Sequence, residues 1–414
     1  MSGNQRSYRA FHAFAREADG ATSIIFALCA VMLFGLAALA IDHGHWMNRK
    51  SFMQSTADAA ALAGAWQLAV RAESADAIAA SQAFLTSKKV QPGTYQITAD
   101  KTTGIVSIAL SENGKIFAGG IIGVKSAQIG IISEAIATPS ARPCIIALDP
   151  ASAVGIDFSL AGSVTAIDCA IWSNSKSSTS FDLNGSGTGS SSQNCAVGGV
   201  SGSAFSITPP VQSNCQPAID PLASWDPPVP AACDSSLPDK LNSGAVTLSP
   251  GVYCGGLKVA GTSQVTLQPG IYTMKDGPLS VTSTASITGT GVTILLTGTG
   301  AAINFLGSSS AHLSAATSGP TEGLVIAAGR GEPVTASMVS GGAEMDIEGT
   351  VYLPTHNLSY GGNSESLLPA SYSLLIAKTI KFHGGSQVVV RGDPTSSKVP
   401  AKTAVAPGSV RLVR

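Results

Sequence analysis

Val246-Thr247-Leu248-Ser249-Pro250-Gly251-Val252-Tyr253 returns nineteen residues later as Val265-Thr266-Leu267-Gln268-Pro269-Gly270-Ile271-Tyr272. Each copy reads as a short β run, a Pro-Gly turn and a second β run. A looser repeat, Phe158-Ser159-Leu160-Ala161-Gly162-Ser163, returns as Phe181-Asp182-Leu183-Asn184-Gly185-Ser186 at an offset of 23. Further short β runs follow at 292–296, 301–306, 324–328, 345–353, 373–381 and 388–390. A period near twenty with one or two strands per repeat is the signature of stacked β coils. A single coil cannot bury its apolar face, whereas stacked coils share one core. Residues 141–414 are therefore expected to form a right-handed parallel β-helix-like solenoid. An antiparallel β-sandwich, also built from short strands and turns, is the alternative.

Within this region, about residues 207–240, the chain turns proline-rich: Pro209, Pro210, Pro217, Pro221, Pro227, Pro228, Pro230 and Pro238. Cys215, Cys233 and Trp225 fall in the same stretch. This reads as an extended insertion stapled by a disulfide.

Upstream the chain changes character. Residues 22–41, Thr-Ser-Ile-Ile-Phe-Ala-Leu-Cys-Ala-Val-Met-Leu-Phe-Gly-Leu-Ala-Ala-Leu-Ala-Ile, carry no charge. Twenty residues at about 1.5 Å each cross a hydrocarbon core of about 30 Å. Arg6, Arg9 and Arg16 outnumber Glu17 and Asp19 before the run, which favours an inside N-terminus on the leader 1–21. No small-x-small cleavage site follows, so the segment is expected to stay as an anchor. Gly35 among Ala37, Ala38 and Ala40 offers a close-packing face for a homo-oligomer. Residues 42–90 read as a helical stalk or a helix hairpin, Ala-dense at 57–65. Residues 91–140 alternate as a small β region.

Seven cysteines are present, with Cys29 in the apolar run. The other six, Cys144, Cys169, Cys195, Cys215, Cys233 and Cys254, read as disulfides in an oxidising compartment, with fifteen connectivities open. A net charge of −1 with 12% charged residues gives no attraction for nucleic acid.

Residues 19–65 resemble the N-terminal motif of the TadG-like (TadE/G-like) proteins of Flp, or Tad, pilus systems. The matching elements are Gly20, Ile24-Ile25-Phe26-Ala27-Leu28, the exit pair Ile41-Asp42, and Thr56-Ala57-Asp58-Ala59-Ala60-Ala61-Leu62-Ala63-Gly64-Ala65. Cys144-Ile145-Ile146-Ala147-Leu148-Asp149-Pro150 and the Gly/Ser repeats also resemble a C-terminal region of some of these proteins. The resemblance implies a single-pass protein of a bacterial inner membrane. Its N-terminus would be cytoplasmic and its bulk periplasmic, with pilus or cell-envelope proteins as partners. Two departures carry meaning. Ile25 stands where pilins and TadE-like pseudopilins carry a glutamate, which argues against processing and polymerisation. Asp149 is followed by Pro150, Ala151 and Ser152, so the metal-binding Asp-x-Ser-x-Ser of longer relatives is absent.

Chemistry has few candidates. Glu344, Asp346 and Glu348 alternate and so share one face of a strand. They read as a solvated acidic face, with a Ca²⁺ site or the acid and base of a membrane-anchored glycan-cleaving enzyme as sharper alternatives. His43 and His45 flank Gly44 beside Trp46 and read as interfacial polarity. His312, His356 and His383 are scattered, and no nucleophile–base arrangement is evident. Arg391-Gly392-Asp393 reads as a turn, and Gly329-Arg330-Gly331 lacks the Lys-Ser/Thr of a phosphate loop. The expectation is a structural or interaction protein with no cofactor. A surface adhesin using the Ser/Thr/Gly-rich coils, or a glycan-active β-helix enzyme, is the alternative.

Overall fold

The computed structural model describes residues 18–70, 72–91, 93–116, 126–138, 141–159, 161–366, 371–404, 406 and 408–413. The basic leader residues Arg6, Arg9 and Arg16 lie outside the described residues. Among the described residues the chain is mainly β with two α-helices near the N-terminus, and it divides into two compact units, 1–139 with 409–414, and 140–408.

The first unit opens with helix α1, Ala18–Ala69. Its early part exposes large apolar side chains, among them Phe26, Leu33 and Phe34. From Met53 the pattern reverses. Met53, Ala57, Ala60, Ala61, Ala65 and Leu68 are buried at helical spacing. Helix α2, Ser74–Ser87, starts where the Glu73 backbone N–H donates to the Asp76 carboxylate at 3.0 Å. Gly64 lets it approach closely: a Cβ there would lie 2.3 Å from Ser81 Oγ. The Ser81 hydroxyl donates to the Ala60 carbonyl at 3.0 Å. Residues 42–90 are thus a helix hairpin rather than one continuous stalk.

Strands β1 (Tyr95–Asp100), β2 (Ile105–Lys115) and β3 (Ser126–Thr138) pair antiparallel. Val106, Ile108, Leu110, Ile129, Ile131 and Ala135 point into the core shared with α1 and α2. A fourth strand closes the sheet from far along the chain. Ser409–Leu412 pairs antiparallel with β3, Thr138 opposite Ser409 and Ala135 opposite Leu412. The expected β region 141–414 is corrected at this end, because its last strand satisfies the edge of β3.

Every strand pairing in the second unit is parallel among the described residues. Strand follows strand in three ladders, so that each pairs with the third one after it over most of the unit. In one ladder Val246 opposes Val265, Val265 opposes Ile287, Ile287 opposes Ala311, and Ala311 opposes Met345. Apolar residues at the same phase of successive strands thus fall on top of one another. An antiparallel sandwich does not fit this pattern, since it requires antiparallel pairs.

The nineteen-residue repeat holds only up to its turn. Leu248 opposes Leu267, yet Gly251 opposes Tyr272, two residues further on. The turns themselves are equivalent. The Tyr253 hydroxyl donates to Ser249 O at 2.9 Å and the Tyr272 hydroxyl to Gln268 O at 2.8 Å, and the two rings stack 6.0 Å apart. The 23-residue repeat does not set pairing either, because Phe181 opposes Ile156.

One corner recurs down the stack in a left-handed backbone conformation: Gly261, Ser283, Gly307, Gly341, Gly362 and Gly384, with φ between 62° and 83°. A Cβ on Gly362 would lie 2.6 Å from the Gly341 backbone N, and one on Gly384 2.8 Å from the Gly362 N. Glycine therefore meets two demands there, positive φ and close stacking.

The spatial order is not the sequence order. Three early rungs stack outward: Pro143–Ala147, then Ala170–Ser173, then Gln193–Ala196 in one ladder. The chain then crosses through residues 209–239 and restarts at Lys240–Leu241. It climbs back until Ser373–Phe382 and Gln387–Arg391 dock in parallel on the first rung. Leu375 opposes Ile145, Ile380 opposes Ile156, and Val388 opposes Val164. An aromatic column, Tyr360, Phe382, Phe158 and Phe205, runs through the junction with neighbouring rings 4.3–5.7 Å apart.

Candidate functional site

The proline-rich crossing is tied down along its length. Cys195–Cys215 fixes its start and Cys233–Cys254 its end, with Cα separations of 5.9 and 5.7 Å. Cys144–Cys169 links the first two rungs. Between the staples, Asn174 exchanges two hydrogen bonds with the Ala218 backbone, and Trp172 Nε1 donates to Gln216 O at 3.0 Å. Trp225 meets Tyr352 edge to face at 5.9 Å. The Tyr352 hydroxyl donates to Asp220 at 3.0 Å, and Asp220 pairs with Arg330. Prolines suit such a strap, since they bring no N–H that needs a ladder partner. Six cysteines and a Pro-rich stretch were visible in the sequence; the Asp220–Arg330–Tyr352 contact was not, because its members lie up to 132 residues apart.

The long strand Glu344–Tyr360 carries Glu344, Asp346 and Glu348 on one side. Glu344 opposes Glu365 on the next rung, and His312 opposes Asp346, with Nδ1 to Oδ2 at 3.6 Å. Burial pushes the Asp346 carboxyl above its ordinary range, opposed by the hydrogen bond and charge of His312. Glu348 accepts from the Ser397 hydroxyl at 2.8 Å. Alternate residues on a strand stand about 6.6 Å apart. A calcium ion needs its oxygens at about 2.3–2.6 Å. Among the described residues no three His, Cys, Asp or Glu groups come together as metal ligands.

The remaining candidates lie apart from one another. His356 is buried, and its Nδ1 meets Ser337 Oγ at 2.8 Å. Burial lowers its pKa to about 4, so it is held neutral. Asp393, of the Arg-Gly-Asp triplet, caps the short turn Pro394–Ser396 through Thr395. His43 lies 6.4 Å from the Trp46 ring. Cys29 is a free, exposed thiol on the apolar part of α1.

In the first unit, just beyond that apolar part, Arg49 grips Glu112 through Nε and Nη2, the shortest contact 2.6 Å. The pair lines two clefts. One, about 450 Å³, is lined by Trp46 and Ile129. The other, about 510 Å³, has Phe52, Met53 and Leu110 on its walls together with Lys88 and Lys89.

In comparison with protein families, residues 20–67 fit the model of the Tad family, Flp pilus-assembly TadE/G-like proteins. The match ends inside the Ala-rich packing face of α1. Comparison with curated proteins and with solved structures gives no match.

Proposed function

We propose, from the TadE/G-like segment that residues 20–67 carry, that this chain is a membrane-anchored structural protein of Flp/Tad pilus assembly or anchoring. The observation that carries the reading is the continuity of α1. One helix leads from an exposed apolar span, long enough to cross a membrane, into the alanine seam that packs the first unit. The second unit is read as a right-handed parallel β-helix. The n to n+3 parallel pairing supports it, and right-handed crossovers are the rule for parallel strands. Three disulfides support a periplasmic address for that unit. Ile25, in place of a pilin glutamate, favours an accessory role over that of a polymerising subunit. The partners in this reading are pilus and envelope proteins, and no residue performs chemistry.

Deleting the gene in its native host and counting pili by electron microscopy tests this. Loss of pili, restored by wild type and by Glu344→Gln/Glu348→Gln alike, is the expected result. Normal pili after deletion would sink the assembly role. Rescue by wild type alone would return the carboxylates to the argument.

A further inference from the structure

We propose that the cleft between α1, the end of α2 and β2 binds the headgroup of an anionic membrane phospholipid. The inference rests on reading α1 as a membrane anchor.

The cleft is two-faced. Phe52, Met53 and Leu110 give it an apolar wall, and Lys88 and Lys89 a cationic rim. Arg49 also lines it, but Glu112 neutralises that charge. Neither lysine makes an ion pair among the described residues. Lys88 only leans over the Phe84 ring at 5.6 Å. A phosphodiester set on an apolar glycerol backbone is the complementary chemistry.

Position agrees. Arg49 follows Ile41 by eight residues, about 12 Å along a helix. The headgroup layer extends about 5–7 Å beyond the hydrocarbon on each side. Arg49 thus lies about 5 Å beyond that layer and the cleft's lining on α1 runs on to Thr56, so the lysines meet the headgroups through the length of their side chains. Lys50 leans over Trp46 on the same stretch, 5.6 Å from its ring, and both are residue types that settle at membrane interfaces.

Lys89 adds a separate observation. Helix α2 ends with Lys89 N–H donating to Thr86 O at 2.9 Å and Val90 N–H to Leu85 O at 3.1 Å. This places Lys89 at the left-handed capping position, φ 59°, where glycine is the low-strain residue. A cation near a helix C-terminus is ordinary. A lysine held in left-handed backbone is not, and strain of this kind gathers at ligand clamps.

The test uses the full chain purified in neutral detergent, with lipid adducts read by native mass spectrometry. Phosphatidylglycerol is expected to bind at least tenfold more tightly than phosphatidylcholine, and millimolar inorganic phosphate is expected not to displace it. Lys88→Gln/Lys89→Gln is expected to weaken phosphatidylglycerol at least tenfold. Lys89→Gly is the sharper variant: it relieves the backbone, so the unfolding temperature holds or rises while binding falls at least threefold. Wild-type binding in both variants, equal binding of the two lipids, or displacement by inorganic phosphate would each overturn the proposal. Retention of the wild type on membranes after an alkaline wash is scored in parallel. Its loss sinks the anchor itself, whereas retention with unaltered lipid binding sinks only this site.

Discussion

Ile145 and Leu375 lie opposite each other in a parallel pair, although 229 residues separate them along the chain. The last rung of the second unit thus rests on its first. The stack is closed in the middle of its length, not at its ends, and the strap of residues 209–239 joins the two outer rungs.

This junction is expected to be a weak point for large-to-small substitution. Phe382 is buried and stacks on both Phe158 and Tyr360 across it. Phe382→Ala should cost about 3–5 kcal/mol, measured by denaturant unfolding of the full chain. A double-mutant cycle with Phe158→Ala should return a coupling of about 0.5–1.5 kcal/mol. Additive losses would mean that the two halves of the stack do not cooperate.

The left-handed corner makes opposite predictions at two positions. Ser283 occupies it with φ 66° on an exposed turn. Ser283→Gly should therefore stabilise by about 0.5–1 kcal/mol. Gly362→Ala should destabilise by more than 1 kcal/mol, since its Cβ would press on the Gly341 backbone. The midpoints of urea unfolding decide both signs.

The strap should loosen when its ion pair is broken on one side. The Asp220 side chain is 8% exposed and that of Arg330 45%. Arg330→Met leaves the buried Asp220 carboxylate with the Tyr352 hydroxyl and the Leu222 backbone N–H but no cation, and should cost about 1–3 kcal/mol. Asp220→Asn/Arg330→Met, which removes both charges, should cost less. Limited proteolysis within residues 209–239 should quicken in the single variant and recover in the double one.

Acid should destabilise the second unit through His356. Its folded pKa of about 4 lies below the ordinary value of 6.5, so the unfolded chain binds the proton first. The neutral-state advantage is complete above pH 6.5 and is lost as pH falls towards 4, up to about 3 kcal/mol. A titration of unfolding free energy against pH should show this slope in the wild type. His356→Gln should flatten it; an unchanged slope would assign the acid sensitivity to other groups.

Much of this organisation was legible in the sequence because it rests on short-range patterns. Twenty uncharged residues specify a membrane-length helix. The alternation around Val246 and Val265 specifies strands whose inward residues stack. The TadE/G-like segment was legible for the same reason, being one continuous stretch.

The rest depends on contacts between residues far apart in the chain. Composition left a continuous stalk and a hairpin equally open for residues 42–90, and the close approach of Ser81 to Gly64 decides for the hairpin. The pairing of the six cysteines depended on how the first two rungs stack and on where the strap starts and ends. Glu344, Asp346 and Glu348 share a face, as the alternation required, but that His312 meets Asp346 and Ser397 meets Glu348 depended on the tertiary fold. Sequence determined the elements and their phase, because hydropathy and backbone preference act over a few residues. Tertiary structure decided the order of the rungs, the return of Ser409–Leu412 to the first sheet and the course of the strap. Open strand edges can be satisfied by any chain of the right direction, and nothing local says which one arrives.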